Sequence, residues 1–585
     1  MPISLRCHKF SGGGVIISSE FCSNQNMQKF GLVLTILLFA LTIHSQIAGR
    51  YTDGKDYAVY FEQSRFGLTI KPVLWTATQL LKETTKDHFT VVDRTSRGAD
   101  FSRDEKGGVT GVTIRGMDGE GLKLVRSNKP LLPVELFLFG RTHEAADAYK
   151  ARRKEGLATA LETAEQVLER LPTKTKYVIA FLTQLAPQFQ TDARFHSLLG
   201  FAYVRAGDRQ SALTSFRRAY ELDAANERAI SGLYRLGALP DAPKKDGGWK
   251  IPFPTADIFA KPTAAEIKAV ADDWAKRDLS PNAIREELKT TISFDSWTAN
   301  VRVVSHLVHG TRHYGAIIIP RNAKPGCCAV IVDAKGVSPS YFPLTVESVD
   351  SVAFMDKWRD QFIYVVPSFR GEVMNIGGKT FKSEGDRRDA LDGATDDAIA
   401  LLNVALQTTP EADPKRICVY GRSRGGNVAL LMGERDPRIK CVVNVSGPTD
   451  WFYLMGTGGW TEEELWKEGI RTHADPMQTG GQNIERFLGR AIEGKADLAA
   501  VRHNMIASSP HYFAERLPLI QIHYGLEDPS VPSRNGYELV KKLKENKVRA
   551  SRYQAFFYPD QGHDTDRLAE PEAARNFILR TLKIK

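Results

Sequence analysis

A serine stands at the centre of the segment Gly421-Arg-Ser-Arg-Gly-Gly426, between an apolar run at 417–420 and a helical pattern that follows it. Gly-x-Ser-x-Gly between a strand and a helix is typical of a sharp turn that raises the serine hydroxyl above the sheet edge. The helix N-terminus then presents backbone N–H groups to developing negative charge. The pattern predicts Ser423 as the nucleophile of an acyl transfer, with the N–H of Arg424 as an oxyanion donor.

A serine hydroxyl needs a base, and in such proteins an acid and then a histidine follow the serine along the chain. Asp528 lies in a loop after the apolar run 519–524, and His563 lies in a loop after the run 555–558. We predict that His563 takes the proton of the serine and returns it to the leaving group, while Asp528 orients the imidazole. Glu527 is the rival acid, but the spacing Gly-x-x-Asp-x-x-Val-Pro favours Asp528.

The elements that must position these loops are short apolar runs that alternate with helical stretches in residues 263–585. The apolar runs lie at 329–332, 362–366, 417–420, 441–445, 519–524 and 555–558, and helical stretches lie at 389–406, 426–434 and 534–546. Apolar strands interleaved with helices predict a mostly parallel sheet covered on both faces. An antiparallel hairpin near Gly310 precedes it. The expected fold class is therefore α/β.

Several segments in order together resemble the catalytic domain of the prolyl oligopeptidase family. They are Gly421–Gly426, Ser509-Pro510 with Tyr512, Gly525–Pro532, Tyr558–His563 and Phe369-Arg-Gly371. The resemblance covers about residues 290–585. It implies an α/β-hydrolase fold and a serine hydrolase whose substrate is a peptide or an ester.

The sequence departs from that family in two places. The family's His-Gly-Gly after the first central strand is Ala334-Lys335-Gly336 here, so the second oxyanion donor becomes the N–H of Gly336 or Lys335. Residues 51–262 are unsuited to the long seven-bladed propeller of the typical peptidases, which leaves an esterase open. The altered oxyanion segment also leaves a different class open, an inactive hydrolase fold that acts as a binding protein.

Two arginines flank the nucleophile and add positive charge beside it. Arg422 and Arg424 either attract an anionic substrate group, with Arg422 as the expected substrate contact, or pair with nearby carboxylates. Asp386, Asp389 and Asp392 are the partners that we expect in the second case.

Residues 449–508 interrupt the alternation of strands and helices and predict a cap above the nucleophile. Trp451 and Tyr453 stand near its start. They either line an apolar substrate pocket or form the core of the cap itself.

Two accessory segments precede the α/β region. Residues 51–140 predict a small all-β module. The stretch that starts with Gly49-Arg-Tyr-Thr-Asp-Gly and ends with Phe101-Ser-Arg-Asp-Glu-Lys-Gly-Gly-Val109 resembles the small β-module appended to many secreted serine hydrolases of the β-lactamase type. Residues 143–238 have helical periodicity, and Leu199-Gly-x-x-Tyr203 with Ala212-x-x-x-Phe216 resembles a tetratricopeptide repeat. This segment is either a helical spacer or a surface for a protein partner. A proline-rich linker at 239–262 follows.

Residues 27–46 predict a secretory signal peptide, and residues 1–26 before it predict an unstructured start without apolar periodicity or motif. Lys29 precedes an uncharged, apolar segment from Gly31 to Ile43, and a short polar end follows. The apolar segment is shorter than the roughly 20 residues that span a bilayer, so we expect no integral membrane anchor. Met27 is the expected initiator, and the expected location is periplasmic or extracellular.

Composition limits the remaining partners. The 585 residues include 79 Lys and Arg against 69 Asp and Glu, a formal charge of +10 that removal of residues 1–46 reduces to about +8. The charge is spread without a basic tract, so nucleic acid is not an expected partner. No Cys-x-x-Cys or His/Cys cluster predicts a metal, and no cofactor is expected. Cys327, Cys328, Cys418 and Cys441 predict buried thiols, although Cys418 and Cys441 suit a bridge if their strands are neighbours.

Overall fold

The structure is a computed structural model of the chain, and all structural statements refer to the residues that it describes. These are 46–64, 67–74, 79–91, 94–116, 121–236, 238, 253–294, 297–337, 349–452, 479–528, 530–559, 561–565 and 569–585. Nearly all of the predicted signal peptide and most of the predicted linker lie outside the described residues. The chain forms two compact units, one reaching to Ile70 and resuming at Leu80–Lys129, the other comprising Lys71–Gln79 and Pro130–Lys585.

The first unit contains an eight-stranded antiparallel barrel, which is the predicted all-β module. Its strands are β1 (Gly49–Thr52), β2 (Ala58–Ser64), β3 (Gly67–Pro72), β4 (Gln79–Thr85), β5 (His88–Val91), β6 (Arg94–Arg103), β7 (Val109–Arg115) and β8 (Lys123–Arg126). The barrel closes where Tyr51 of β1 pairs with Arg126 of β8. Inside, the rings of Phe61 and Phe101 meet edge to face with centroids 4.8 Å apart. Aromatic side chains therefore fill this barrel, as small barrels require.

The second unit begins with the predicted helical segment. Its helices are α1 (Pro133–Leu138), α2 (Thr142–Ala151), α3 (Arg153–Arg170), α4 (Thr175–Leu185), α5 (Ala193–Ala206), α6 (Arg209–Leu222) and α7 (Glu227–Arg235). A Cβ on Gly200 would lie 2.7 Å from the ring of Phe216, so α5 and α6 approach closely because residue 200 is glycine. The helical segment is confirmed, whereas its assignment to tetratricopeptide repeats stays a prediction.

The helical segment begins earlier than expected. Residues 133–138 fall inside the range predicted for the β-module, yet they form α1. Proline is favoured at the first helical position. The carboxylate of Glu135 accepts a hydrogen bond from the backbone N–H of Leu132 at 2.6 Å, which satisfies one donor at the helix start. These two local features end the β-module before residue 133.

A nine-stranded sheet forms the predicted α/β region and confirms the fold class. Its order is β19-β18-β17-β16-β12-β13-β11-β10-β9, and β14 and β15 form a separate hairpin. The strands are β9 (Arg285–Phe294), β10 (Trp297–Val308), β11 (Thr311–Pro320), β12 (Cys328–Ala334), β13 (Phe362–Ser368), β14 (Val373–Ile376), β15 (Lys379–Lys382), β16 (Ala412–Arg422), β17 (Ile439–Val445), β18 (Leu519–Gly525) and β19 (Tyr553–Tyr558). Pairing is parallel from β13 through β12 to β19 and antiparallel from β9 to β11 and between β11 and β13.

Helices cover both faces of this sheet. The α-helices described in this region are α8 (Thr255–Ile258), α9 (Ala264–Trp274), α10 (Asp350–Met355), α11 (Asp392–Thr408), α12 (Arg424–Arg435), α13 (Thr479–Ile492), α14 (Leu498–Ala507), α15 (Arg534–Glu545) and α16 (Ala569–Thr581). Val330 of β12 belongs to a buried cluster with Leu401 of α11. The next residue, Ile331, belongs to a different cluster with Phe577 of α16. Successive side chains of a strand point to opposite faces, so β12 is buried on both sides, which explains its unbroken apolar sequence.

The four cysteines among the described residues are joined in two disulfides. Cys418 of β16 lies opposite Cys441 of β17 in the parallel register. Their Cα atoms are 4.7 Å apart, and the structure joins them as a disulfide. Cys327 and Cys328 are joined as a second, adjacent pair. The prediction of free, buried thiols was wrong. The alternative of a bridge between Cys418 and Cys441 is confirmed, because their strands are neighbours.

No helix among the described residues has the length and apolar character needed to cross a bilayer.

Candidate active site

Ser423 occupies the sharp turn between β16 and α12. Its backbone has φ 57° and ψ −126°, a conformation that residues other than glycine rarely adopt. Such backbone strain costs about 1–3 kcal/mol and persists only where the surroundings enforce it. Here the N–H of Ser423 donates to the carbonyl of Val445 at 2.8 Å, and its carbonyl accepts from the N–H of Gly426 at 2.9 Å. The turn therefore holds the serine at the carboxyl end of the parallel strands.

The three glycines of the motif are required by close backbone approaches. A Cβ on Gly421 would collide with the carbonyl oxygen of Gly425, and a Cβ on Gly425 with that of Ala334. A Cβ on Gly426 would collide with the side-chain oxygen of Asn444. Glycine is therefore needed at these three positions, because any larger residue would prevent β12, β16 and α12 from packing closely around Ser423.

His563 and Asp528 are in direct contact. Nδ1 of His563 lies 2.8 Å from Oδ2 of Asp528, whose side chain is fully buried, while the imidazole is 29% exposed. The other oxygen of Asp528 accepts backbone N–H bonds from Ser530 at 2.8 Å and Val531 at 2.9 Å. The carboxylate is therefore fixed by its own loop, and donation from Nδ1 leaves Nε2 of His563 as the proton acceptor.

The electrostatics of this pair suit a base. Burial of the imidazole disfavours its charged form, but the charge of Asp528 and the hydrogen bond to it outweigh burial and raise the pKa of His563 above its ordinary value. Asp528 thus favours the imidazolium that forms when His563 accepts a proton.

Ser423 and His563 are not joined by a hydrogen bond among those that the described residues make. Catalytic hydrogen bonds are often long without substrate and tighten when it binds. The structure links the two positions through Arg422 instead. Its Nη1 donates to the main-chain oxygen of Asp564 at 2.9 Å, and its Nη2 lies 2.6 Å from the buried carboxylate of Glu570.

Glu527 contacts the helical segment. Its side chain is buried, and Oε2 accepts a hydrogen bond from the backbone N–H of Thr173 at 2.8 Å. The hydroxyl of Thr173 contacts the other carboxylate oxygen. Of the two candidate acids, Asp528 is the one that meets His563.

The predicted oxyanion residues lie on both sides of the nucleophile. Arg424 is the first residue of α12, where a backbone N–H has no partner within the helix. A Cβ built on Gly336 would lie 3.5 Å from Cβ of Ser423, so the segment that follows β12 passes close to the nucleophile. The guanidinium of Arg424 holds this segment by donating to the carbonyl of Gly336 at 2.7 Å. The choice between Gly336 and Lys335 as second donor stays a prediction.

Both flanking arginines pair with carboxylates, but with partners that the sequence did not indicate. Arg424 lies 2.6 Å from Glu372, and Arg422 contacts Glu570 and Asp350. The expected partners are occupied elsewhere: Asp386 by Arg388, Asp389 by Arg370, and Asp392 by Arg277 and Arg435. Contact of Arg422 with a substrate stays a prediction.

The aromatic residues of the predicted cap are described only in part. Trp451 is 3% exposed and packs on Phe487, with ring centroids 5.1 Å apart. It belongs to a buried cluster with Trp274 of α9 and Phe513. Tyr453 lies outside the described residues. Trp451 therefore packs as part of a helical core, and its role in a substrate pocket stays a prediction.

Sequence reasoning missed three residues around the site, namely Glu372, Glu570 and Thr173. Glu372 directly follows the segment Phe369-Arg-Gly371, so a local signal was present. Glu570 and Thr173 carried no signal, because their partners are 148 and 354 residues away in the chain.

A strained serine at the carboxyl end of a parallel sheet, whose neighbour Arg422 binds the loop of a histidine paired with a buried aspartate, defines the class of the α/β-hydrolases with a nucleophilic serine. Residues 353–584 match the model of the prolyl oligopeptidase family (Peptidase_S9). This part of the chain is an α/β-hydrolase domain of that family, and the protein is a serine hydrolase, a peptidase or an esterase.

Three solved structures show a distant likeness to part of this chain. Acetyl xylan esterase 1 from Thermoanaerobacterium sp. JW/SL YS485 is 18% identical with a TM-score of 0.37, over 57% of this chain and 95% of that chain. An acetyl xylan esterase from Paenibacillus sp. R4 is 17% identical with a TM-score of 0.36, over 57% and 97%. Porphyromonas gingivalis dipeptidyl peptidase 4 is 17% identical with a TM-score of 0.32, over 51% and 36%. No curated protein matches the sequence.

Proposed function

We propose that the protein hydrolyses a peptide or ester bond through an acyl-enzyme formed on Ser423. The observation that carries the proposal is the strained backbone of Ser423 at the sheet edge, combined with the 2.8 Å contact between His563 and Asp528. A strained turn is retained where function needs the exposed hydroxyl. The buried carboxylate behind the histidine supplies the orientation that a base requires.

The reaction proceeds in two halves. Nε2 of His563 accepts the proton of Ser423 as Oγ bonds to the carbonyl carbon of the substrate, and Asp528 stabilises the imidazolium without taking its proton. The carbonyl oxygen, now negative, faces the N–H of Arg424 and the segment at Gly336. The imidazolium then gives its proton to the leaving amine or alcohol as that bond breaks. A water molecule repeats the sequence on the acyl-enzyme and releases the acid.

Labelling with a fluorophosphonate probe tests this proposal directly. The probe bonds only to an activated serine, so we expect covalent labelling of the full chain at Ser423 and none of the Ser423→Ala variant. Folding of both proteins is checked by circular dichroism. A folded wild-type protein without label would reject the hydrolase and favour the alternative of a binding protein with an inactive hydrolase fold.

Two substrate series distinguish peptidase from esterase. The first is a set of p-nitrophenyl esters with acyl chains of increasing length, and the second is a set of aminoacyl p-nitroanilides. An amine is a poorer leaving group than an alcohol, so a peptidase depends more strongly on proton donation by His563. Turnover of the anilides, absent in Ser423→Ala, selects the peptidase. Turnover confined to the esters selects the esterase.

We also propose that the protein is exported. The apolar segment from Gly31 to Ile43 supports export, and so does the pairing of Cys418 with Cys441, because disulfides persist in oxidising compartments. Fractionation of producing cells, with mass analysis of the N-terminus and alkylation of thiols before and after reduction, tests the proposal. An intact N-terminus and freely alkylated cysteines in cytosolic protein would contradict it.

A further inference from the structure

The loop after β18 contains two adjacent buried acids that serve different partners. Asp528 contacts His563, whereas Glu527, 1% exposed, contacts Thr173 in the turn Pro172–Lys174 between α3 and α4. Both partners lie in the same compact unit of the chain. The acid loop is therefore held on one side by the helical segment and on the other by the predicted base.

The backbone of the same loop is also tied to the histidine loop. The N–H of Glu527 donates to the carbonyl of Gln561 at 2.8 Å. A Cβ on Gly525 would collide with the carbonyl oxygens of Gln561 and Gly562, so the two loops touch along their main chains. Movement of Glu527 would thus be passed to both Asp528 and His563.

From this geometry we propose that Glu527 is a positioning residue through which the helical segment holds the loop of Asp528 in its catalytic place. The inference rests on the proposed function, because it assigns the helical segment to the same active site. The helices from Pro133 to Arg235 are then part of the catalytic unit rather than a spacer.

The strength of this contact follows from the burial of Glu527. A buried carboxylate that loses its hydrogen-bond donors is destabilised, because neither water nor protein then satisfies its oxygens, so the loop and the helical turn favour the joined state. Catalytic groups must be held to within about 0.5 Å, and an error of about 1 Å can lower the rate by about 100-fold. A single hydrogen-bonded carboxylate next to Asp528 is well placed to supply that precision.

The test compares Glu527→Ala, Glu527→Gln and Thr173→Val in the full chain. Glu527→Ala removes both acceptors, and we expect hydrogen–deuterium exchange of the amides at 526–531 and 561–565 to become about tenfold faster. We expect kcat to fall about 10- to 100-fold with little change of KM. Glu527→Gln keeps an acceptor for the N–H of Thr173 and should restore most of both properties. Thr173→Val removes one donor and should give a smaller effect of the same kind.

A pH profile separates positioning from simple loss of stability. If Asp528 shifts away from His563, the imidazole loses the partner that favours its charged form, so the acid limb of kcat/KM moves to lower pH. Glu165→Gln is the control, because Glu165 pairs with Arg194 and Arg228 inside the helical segment and touches neither loop. It should leave the pH profile and the exchange of both loops unchanged.

Different results overturn the positioning role of Glu527 and the proposed hydrolase function. Unchanged loop exchange in Glu527→Ala overturns the positioning role, whether or not the protein is active. The same changes in Glu165→Gln, at an equal loss of melting temperature, also overturn it. A wild-type protein that the fluorophosphonate probe does not label rejects the proposed function, while exchange still decides whether Glu527 holds the loop.

Discussion

Arg422 donates a hydrogen bond from Nη1 to the main-chain oxygen of Asp564 at 2.9 Å. Arg422 directly precedes the proposed nucleophile Ser423, and Asp564 directly follows the proposed base His563. The same guanidinium lies 2.6 Å from Glu570, whose side chain is fully buried. One side chain thus holds the serine turn and the histidine loop together, although no hydrogen bond between Ser423 and His563 occurs in the described residues. Burial raises the pKa of Glu570 and the charge of Arg422 opposes that effect, so the carboxylate depends on its partner.

The first prediction concerns this guanidinium. Arg422→Met removes the cation beside the buried carboxylate of Glu570 and leaves it only the hydroxyl of Tyr420, 3.3 Å away. We expect a loss of about 3–5 kcal/mol in the free energy of unfolding, measured with urea. Adding Glu570→Leu removes the stranded charge and should recover much of that loss. Arg422→Lys keeps the charge but loses the fork-shaped donor, so kcat should fall about tenfold in a folded protein.

Arg416→Lys is the matched control for this series. It lies on the same strand and pairs with Asp413 in a partly exposed position, with the arginine side chain 30% exposed. Such pairs contribute about 0–1 kcal/mol, so little change is expected. An equal loss in Arg416→Lys and Arg422→Lys would show that the contact to Asp564 has no special role.

The second prediction concerns the unit formed by Ser423 and His563. Ser423→Ala and His563→Ala should reduce kcat by similar factors on the same ester, and the double variant should be no slower than either, because such residues act together. His503→Ala is the control, since that histidine is 38% exposed and lies 3.5 Å from Asp273, outside the proposed site. Retention of most activity by His563→Ala would show that another group is the base.

The third prediction concerns pH. Activity requires neutral His563, so kcat/KM should fall as the pH drops through the pKa of that imidazole. Asp528 raises this pKa, so the loss should begin at higher pH than for an ordinary histidine. Asp528→Asn removes the charge, and we expect the acid limb to move to lower pH while the plateau falls. A limb that stays in place in Asp528→Asn would mean that it reports a different group.

The fourth prediction concerns the motif glycines. Gly425→Ala places a Cβ against the carbonyl oxygen of Ala334, and neither backbone can yield without moving β12 or α12. We expect a loss of about 1–3 kcal/mol in stability together with loss of fluorophosphonate labelling. Gly310→Ala is the control: φ is 82° there, and nothing lies within 4 Å of the added Cβ. It should cost about 1 kcal/mol and keep the label, whereas a labelled Gly425→Ala protein would contradict the steric argument.

Local patterns determined much of this protein. The spacing of apolar runs predicted the parallel sheet and its helices, and the glycines around Ser423 predicted the turn, because periodicity and Cβ clashes act between residues near in sequence. The order of serine, acid and histidine followed from the same motifs. The helical segment was also evident, since Gly200 and Phe216 carry a recognisable spacing.

The tertiary structure decided which residues meet across long separations. It directed Asp528 to His563 and Glu527 to Thr173, although the two acids are adjacent and chemically alike. It paired Arg422 with Glu570 and Arg424 with Glu372, and it placed Cys418 opposite Cys441. These pairings depend on how strands and helices pack. A shift of one residue along a strand turns each side chain to the opposite face and therefore changes the residue that it contacts. The spacing of residues in the sequence predicts the turn that presents Ser423. Which residues hold Asp528 against His563 depends on the packing of segments that are far apart in the chain.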